Sequence, residues 1–139
     1  MRILTFTNLY PSAVLPRHGI FVEHRLRQLV SSGAIDARVV APIPWVPFKS
    51  RVFGQYAAFS GVPRTEQRHG VHIHRPRFLA VPKLTSWLNP YSMAIGALRT
   101  VRALQAGRDF DVIDAHFVYP DGAAAILLGK WLGKPVVVS

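Results

Sequence analysis

Two groups of residues in this sequence are equipped to act on a ligand. The first lies in "DAHFVYPDG", residues 114–122, where Asp114 and His116 stand two apart and so share one face of a strand. A histidine at a strand end can orient a substrate hydroxyl or exchange a proton near neutral pH. The same spacing also fits a hydrogen-bonded structural histidine. Further along, Asp121 followed by Gly122 reads more naturally as a cap for a following helix than as a catalytic acid.

The second group is Arg17, His18 and Gly19, placed just before an amphipathic run. A glycine there lets a ligand approach the backbone closely, and the N–H groups that open a helix face any bound anion. Arg17 and His18 would add positive charge. The alternative is a glycine that only serves a turn. A third cluster, His72 and His74 on one strand face with His69 nearby, could suggest a metal site. It lacks a carboxylate at a fitting spacing, and a solvated strand face accounts for it more simply. Neither the glycine fingerprint of dinucleotide-binding folds nor that of a P-loop is present, which argues against a dehydrogenase or an NTPase.

Alternating strands and helices would hold these groups in place. Arg2 to Thr7 reads as a first strand, ended by the turn residues Asn8, Pro11 and Ser12. From Gly19 the period lengthens: Val22, Leu26, Leu29 and Val30 form a helix stripe. Glu23 and Arg27 form a supporting pair on another face, and Ser31-Ser32-Gly33 supplies the stop. Residues 37–41 are a second strand and residues 71–75 a third. Pro90 to Leu104 reads as a helix with Met93, Ala97, Leu98, Val101 and Leu104 inward. A fourth strand covers residues 110–117, a buried helix residues 122–132, and a fifth strand residues 135–138. Between Pro42 and Gly70 no period is visible, only prolines and large aromatics. This alternation predicts an α/β domain with a doubly wound, Rossmann-like parallel sheet, whose ligands sit at the carboxyl ends of the strands.

With 139 residues, half of them hydrophobic, and a mean hydropathy of +0.20, the chain is one domain's worth of globular sequence. There is no cysteine, hence no disulfide framework and no thiolate chemistry. No apolar run approaches the length that spans a bilayer. Of the net charge of +10, essentially all falls between residues 38 and 108, where Glu66 is the only acid. Such a stretch implies an anionic partner: nucleic acid, lipid headgroups or a phosphorylated substrate. The aromatics and arginines between residues 45 and 77 fit stacking on bases, lying on a membrane, or packing on their own domain.

Taken together, "LYPSAVLPRHGIFVEHRLRQL" (residues 9–29) and residues 109–139, with His116-Phe117-x-Tyr119-Pro120-Asp121-Gly122, resemble the amino-terminal domain of family-4 glycosyltransferases. That group is retaining and has the GT-B architecture. The likeness runs in order along the chain, is weakest over residues 43–70, and is greatest to bacterial members assigned to cell-surface polysaccharides, the teichuronic-acid type among them. It implies that residues 1–139 are the acceptor-side half of a two-domain enzyme, truncated before a carboxyl-terminal domain that grips the nucleotide sugar. Residues 1–139 alone are then expected to be inactive. The resemblance places His116 against the transferred sugar as the catalytic residue and Gly19 at the donor diphosphate. Arg17, His18, Asp114, Tyr119 and Asp121 complete the expected substrate-binding set.

The resemblance implies no metal and no cofactor, since cationic side chains and helix dipoles stabilise the leaving diphosphate. The expected partners are a nucleotide-sugar donor, a lipid-linked or polysaccharide acceptor, and an anionic membrane surface at the cytoplasmic face, with no nucleic acid. The competing reading is a non-enzymatic, basic nucleic-acid-binding domain, favoured by charge alone. A flavodoxin-like ligand-binding domain would need an acidic cluster or flavin loop that is not seen.

Overall fold

The computed structural model describes residues 1–8, 10, 20–33, 35–45, 63–68, 70–79, 89–107, 109–116 and 121–138. Its strands are β1 (Arg2–Phe6), β2 (Asp36–Val40), β3 (Ile43–Trp45), β4 (Thr65–Arg68), β5 (Val71–His74), β6 (Arg77–Leu79), β7 (Val112–Ala115) and β8 (Val136–Val138). Its helices are α1 (Ile20–Ser31), α2 (Asn89–Gly107) and α3 (Ala123–Leu132). Six strands form one sheet in the order β4-β5-β2-β1-β7-β8, parallel throughout except for the antiparallel edge pair β4–β5. From β1 the chain builds outward to β2 on one side, and later returns to add β7 on the other. The strand order therefore reverses between β1 and β7. In open α/β sheets that reversal opens a crevice at the carboxyl ends of the two strands.

Strand alternation sends apolar side chains to both faces, as a sheet covered on two sides requires. On one face Leu4, Phe6, Val40, Ile113 and Ala115 meet Met93, Ala97 and Val101 of α2 and Ala124 and Leu128 of α3. On the other, Ala37, Val39, Val71 and Ile73 meet Val22 and Leu26 of α1, with Tyr10 beside them. The doubly wound α/β fold expected from the sequence is the fold observed. Met93 is fully buried, and truncating it to alanine would cost about 2–5 kcal/mol through the cavity left behind.

α1 ends where its serines and glycine predict. The Ser31 and Ser32 hydroxyls donate back to the Gln28 and Leu29 carbonyls, and Gly33 takes φ +79°. At the end of α3, Gly133 is left-handed (φ +69°) and the Lys134 N–H donates to the Gly129 carbonyl at 2.9 Å.

Several expectations need correction. The described residues hold eight strands, not five. The stretch from Pro42 to Gly70 contains β3 and β4, while residues 46–62 lie outside the described residues. β4 (TEQR) was hidden because it is a polar edge strand with no apolar alternation. β3 is three residues long with Pro44 at its centre, and pairs in parallel with the equally short β6 as a separate two-stranded sheet. The strand expected over residues 110–117 is Val112–Ala115, so His116 stands just past its end. Glu23, expected to pair with Arg27 on a face of α1 apart from the buried stripe, is 2% exposed and bound to Arg68 of β4, with Nε to Oε2 at 2.7 Å.

Candidate functional site at the strand-order reversal

Backbone hydrogen bonds carry β1 and β7 one residue beyond their ends. The Thr7 N–H donates to the Val40 carbonyl at 3.2 Å, and the His116 N–H donates to the Phe6 carbonyl at 3.3 Å. Register places Asp114 beside Thr5 and Ala115 beside Phe6, which sets His116 at the level of Thr7. Thr5, Thr7, Asp114 and His116 are all at least nine-tenths buried, so the crevice floor is polar. The Thr5 hydroxyl has no hydrogen-bond partner among the described residues.

Asp114 and His116, expected on one strand face, lie close together. His116 Nε2 lies 3.4 Å from Asp114 Oδ2, a distance for charge attraction rather than a tight hydrogen bond. The two side chains keep 9% and 12% of their surface open, so a ligand reaches only their edges.

Asp121 behaves differently from its sequence reading. It makes no capping hydrogen bond to α3, whose N-cap is Gly122 in the right-handed helical conformation. Its carboxylate reaches back to the other side of the crevice. Oδ2 accepts from the Asn8 N–H at 3.0 Å and from the Thr7 hydroxyl at 3.2 Å, while Oδ1 is buried with no partner among the described residues. Burial pushes the Asp121 carboxyl up to about 6, against the lowering effect of those two hydrogen bonds and of His116. The cap reading fails because a Ser, Thr, Asp or Asn ahead of a helix is only a local signal, and here a partner 113 residues away takes the carboxylate.

The structure thus brings together Asp114, His116 and Asp121. Arg17, His18, Gly19 and Tyr119 lie outside the described residues. Sequence reasoning missed Thr7 and Asn8 as site residues; their only signal was their place directly after β1. Elsewhere, a surface depression of about 490 Å³ over α1, lined by His24, Arg27, Gln28, Val30 and Ser31, contains none of the described candidates Asp114, His116 and Asp121. His72 is exposed and His74 half-buried, as a solvated strand face implies, and no cluster of three metal-ligating side chains occurs among the described residues.

No family model matches the sequence. Along its whole length the chain is 32% identical, over 143 aligned residues, to the Bacillus subtilis protein named "Putative teichuronic acid biosynthesis glycosyltransferase TuaC". The chain spans 36% of that relative's length. Among solved structures it is similar to the C-terminal domain (residues 78–226) of the PF1911 hydrogenase from Pyrococcus furiosus, with a TM-score of 0.53 at 15% identity. That match covers 99% of this chain and 89% of the other. At that identity the likeness speaks to the α/β fold and not to hydrogenase chemistry.

Proposed function

We propose that the protein to which these residues belong transfers a sugar from a nucleotide sugar to a glycan acceptor during cell-surface polysaccharide synthesis, with retention of configuration. The observation that carries this reading is the end-to-end similarity to a glycosyltransferase sequence. The crevice between β1 and β7 has chemistry that supports the reading: the imidazole of His116 beside the Asp114 carboxylate, with edges open to a polyhydroxylated ring, and the Asp121 carboxylate buried behind them. In this reading His116 touches the transferred sugar, Asp114 holds its ring, and Gly19 leaves room for the donor diphosphate, with Arg17 and His18 adding charge. Tyr119 contributes to the sugar side. Residues 1–139 form the acceptor-side half of a GT-B enzyme and need a donor-binding half for turnover.

The acceptor in this reading is lipid-linked, handled at the cytoplasmic membrane face. No helix of the described residues is long and apolar enough to cross a membrane. The outer side of α2, however, exposes Tyr91 and Ile95 in line with Arg99 and Arg102, a stripe suited to lying on anionic headgroups.

The test is an assay of the full-length protein with labelled nucleotide sugars and a membrane lipid extract. Label moving into a lipid-linked or polymeric product, with the anomeric configuration kept, supports the proposal. A full-length protein that folds, binds no nucleotide sugar and transfers no label would overturn it.

A further inference from the structure

We infer that Asp121 is a positioning residue for the proposed transfer, acting through Asn8 and Thr7 rather than on the substrate. The inference rests on the glycosyl-transfer reading for what the crevice does, and on the described contacts for how the carboxylate acts. Asp121 is 0% exposed, so no ligand reaches it in this arrangement. Its partners lie on the opposite wall: the backbone N–H of Asn8 and the hydroxyl of Thr7, where the chain leaves β1. One carboxylate therefore joins the start of α3 to the segment that leads, in sequence, to Arg17, His18 and Gly19.

The chemistry suits a tether. A carboxylate accepts two hydrogen bonds on a single oxygen, and bonds to a charged acceptor are stronger than neutral ones. The same group placed ahead of α3 had a cheaper use, capping that helix, and does not take it. Of the charged groups around it, His116 at the end of β7 is the one whose charge acts on Asp121, and Asp114 of β7 is in turn held to His116. No lysine or arginine ion-pairs with Asp121 among the described residues. The carboxylate is held in place by the loop it fixes.

The experiment compares Asp121→Ala, Asp121→Asn and Thr7→Val with wild type in the full-length protein, by amide hydrogen exchange and by steady-state kinetics. Asp121→Ala is expected to speed exchange of the Asn8 amide by about tenfold or more, while amides in β2 and α2 keep their wild-type rates. It should raise the donor KM and lower kcat/KM by about tenfold. Asp121→Asn keeps an acceptor oxygen at the same place and should restore most of both effects. If Asp121→Ala does not fold, Thr7→Val replaces it, with a smaller rise in Asn8 exchange expected. Unchanged Asn8 exchange in Asp121→Ala or, where that variant does not fold, in Thr7→Val would overturn the inference. So would an Asp121→Asn enzyme as impaired as alanine with normal Asn8 exchange, which would mean that the charge itself acts on substrate. If the wild-type protein transfers no sugar, the glycosyl-transfer reading fails, and the exchange measurements alone decide whether Asp121 fixes the loop.

Discussion

Buried charge is handled in two different ways on the two sides of β1. Toward the β4 edge, the buried Glu23 and the partly buried Glu66 each meet a guanidinium. Glu23 of α1 binds Arg68 through Nε at 2.7 Å and Nη2 at 3.3 Å, and Glu66 binds Arg75 at 2.8 Å. There the Glu23 hydrogen bond raises the Arg68 pKa, while burial lowers that of Arg75 against the pull of Glu66. Burial, helped by the Glu23 charge, keeps the Tyr10 phenol protonated nearby. At the β1–β7 crevice no guanidinium among the described residues pairs with the carboxylates of Asp114 and Asp121. They have an imidazole, a hydroxyl and a backbone N–H instead.

Pairing of the first kind sets opposite charges against each other and joins α1 to β4 and β4 to the residue that follows β5. The second kind leaves a buried carboxyl, that of Asp121, with no cation paired to it among the described residues, and burial raises its proton affinity, as happens at many catalytic and ligand-binding sites. The contrast separates a structural polar cluster from a candidate active one within a single sheet. Variants can break it from either side.

The largest expected effect is on turnover. His116→Ala in the full-length enzyme should lower kcat by about 10²–10⁴-fold, equivalent to about 3–5 kcal/mol, and change nucleotide-sugar binding far less. A near-normal kcat in a well-folded variant would move His116 to the structural side of the comparison.

Next in size is a pH effect on stability. The Asp121 carboxyl has a folded pKa of about 6, above its ordinary value of 3.8, so between those values the folded state holds the extra proton. Its contribution to stability is therefore greatest below about pH 4 and falls as pH rises to about 6. The total change is on the order of 3 kcal/mol for a shift of this size. Denaturant titrations of wild type and Asp121→Asn at pH 4.5 and 7.5 should show the variant gaining on wild type at the higher pH. A constant difference across that range would contradict this assignment.

On the paired side, Glu23→Gln leaves Arg68 with a neutral partner. Because Arg68 keeps 21% of its side chain open to water, the cost should be about 2 kcal/mol of stability, with kcat unchanged in the folded protein. A loss of turnover at full stability would show that the paired cluster also serves the site. The smallest effect is expected from Arg17→Ala. It should weaken donor binding by less than about 1 kcal/mol, and the difference should shrink as salt rises. A large effect that persists at high salt would mean that Arg17 makes a specific buried contact.

The parts of the fold legible in the sequence are those governed by local period. The stripe of Met93, Ala97 and Val101, the run Val22 to Leu26, and the alternation at Ala37 and Val39 each report burial within a few residues. Their boundaries shifted by one to three residues, as the end of β7 at Ala115 illustrates. What escaped reading has no local period: the polar edge β4, and the three-residue strands β3 and β6, which exist because they pair with one another.

The same division runs through the site. His116 and Asp114 were identifiable because a strand end and a two-residue spacing are local facts. The bond from Asp121 to Asn8 was not, since nothing near Asp121 indicates that β1 ends beside it. Glu23 was misplaced for a similar reason. A nearby arginine at helical spacing was visible, and Arg68, 45 residues away, was not.

Gly96 has a consequence for how freely the layers of this molecule can vary. A Cβ built there would lie 2.7 Å from the Arg77 carbonyl oxygen and 2.9 Å from Phe78 Cβ, so α2 and β6 touch backbone to backbone. One turn earlier on α2, the Ser92 hydroxyl donates to the Leu79 carbonyl at 2.6 Å. Between them, a serine and a glycine set the thickness of the molecule at this point. Any larger residue at position 96 acts as a shim, lifting the helix off the small sheet. That same helix buries Met93 and Val101 in one core with Ile113 and Ala115 of β7, the strand that carries the crevice residues. A methyl group added at Gly96 is thus a change in spacing between layers, and its effects should be sought in the alignment of β7 as well as in the melting temperature.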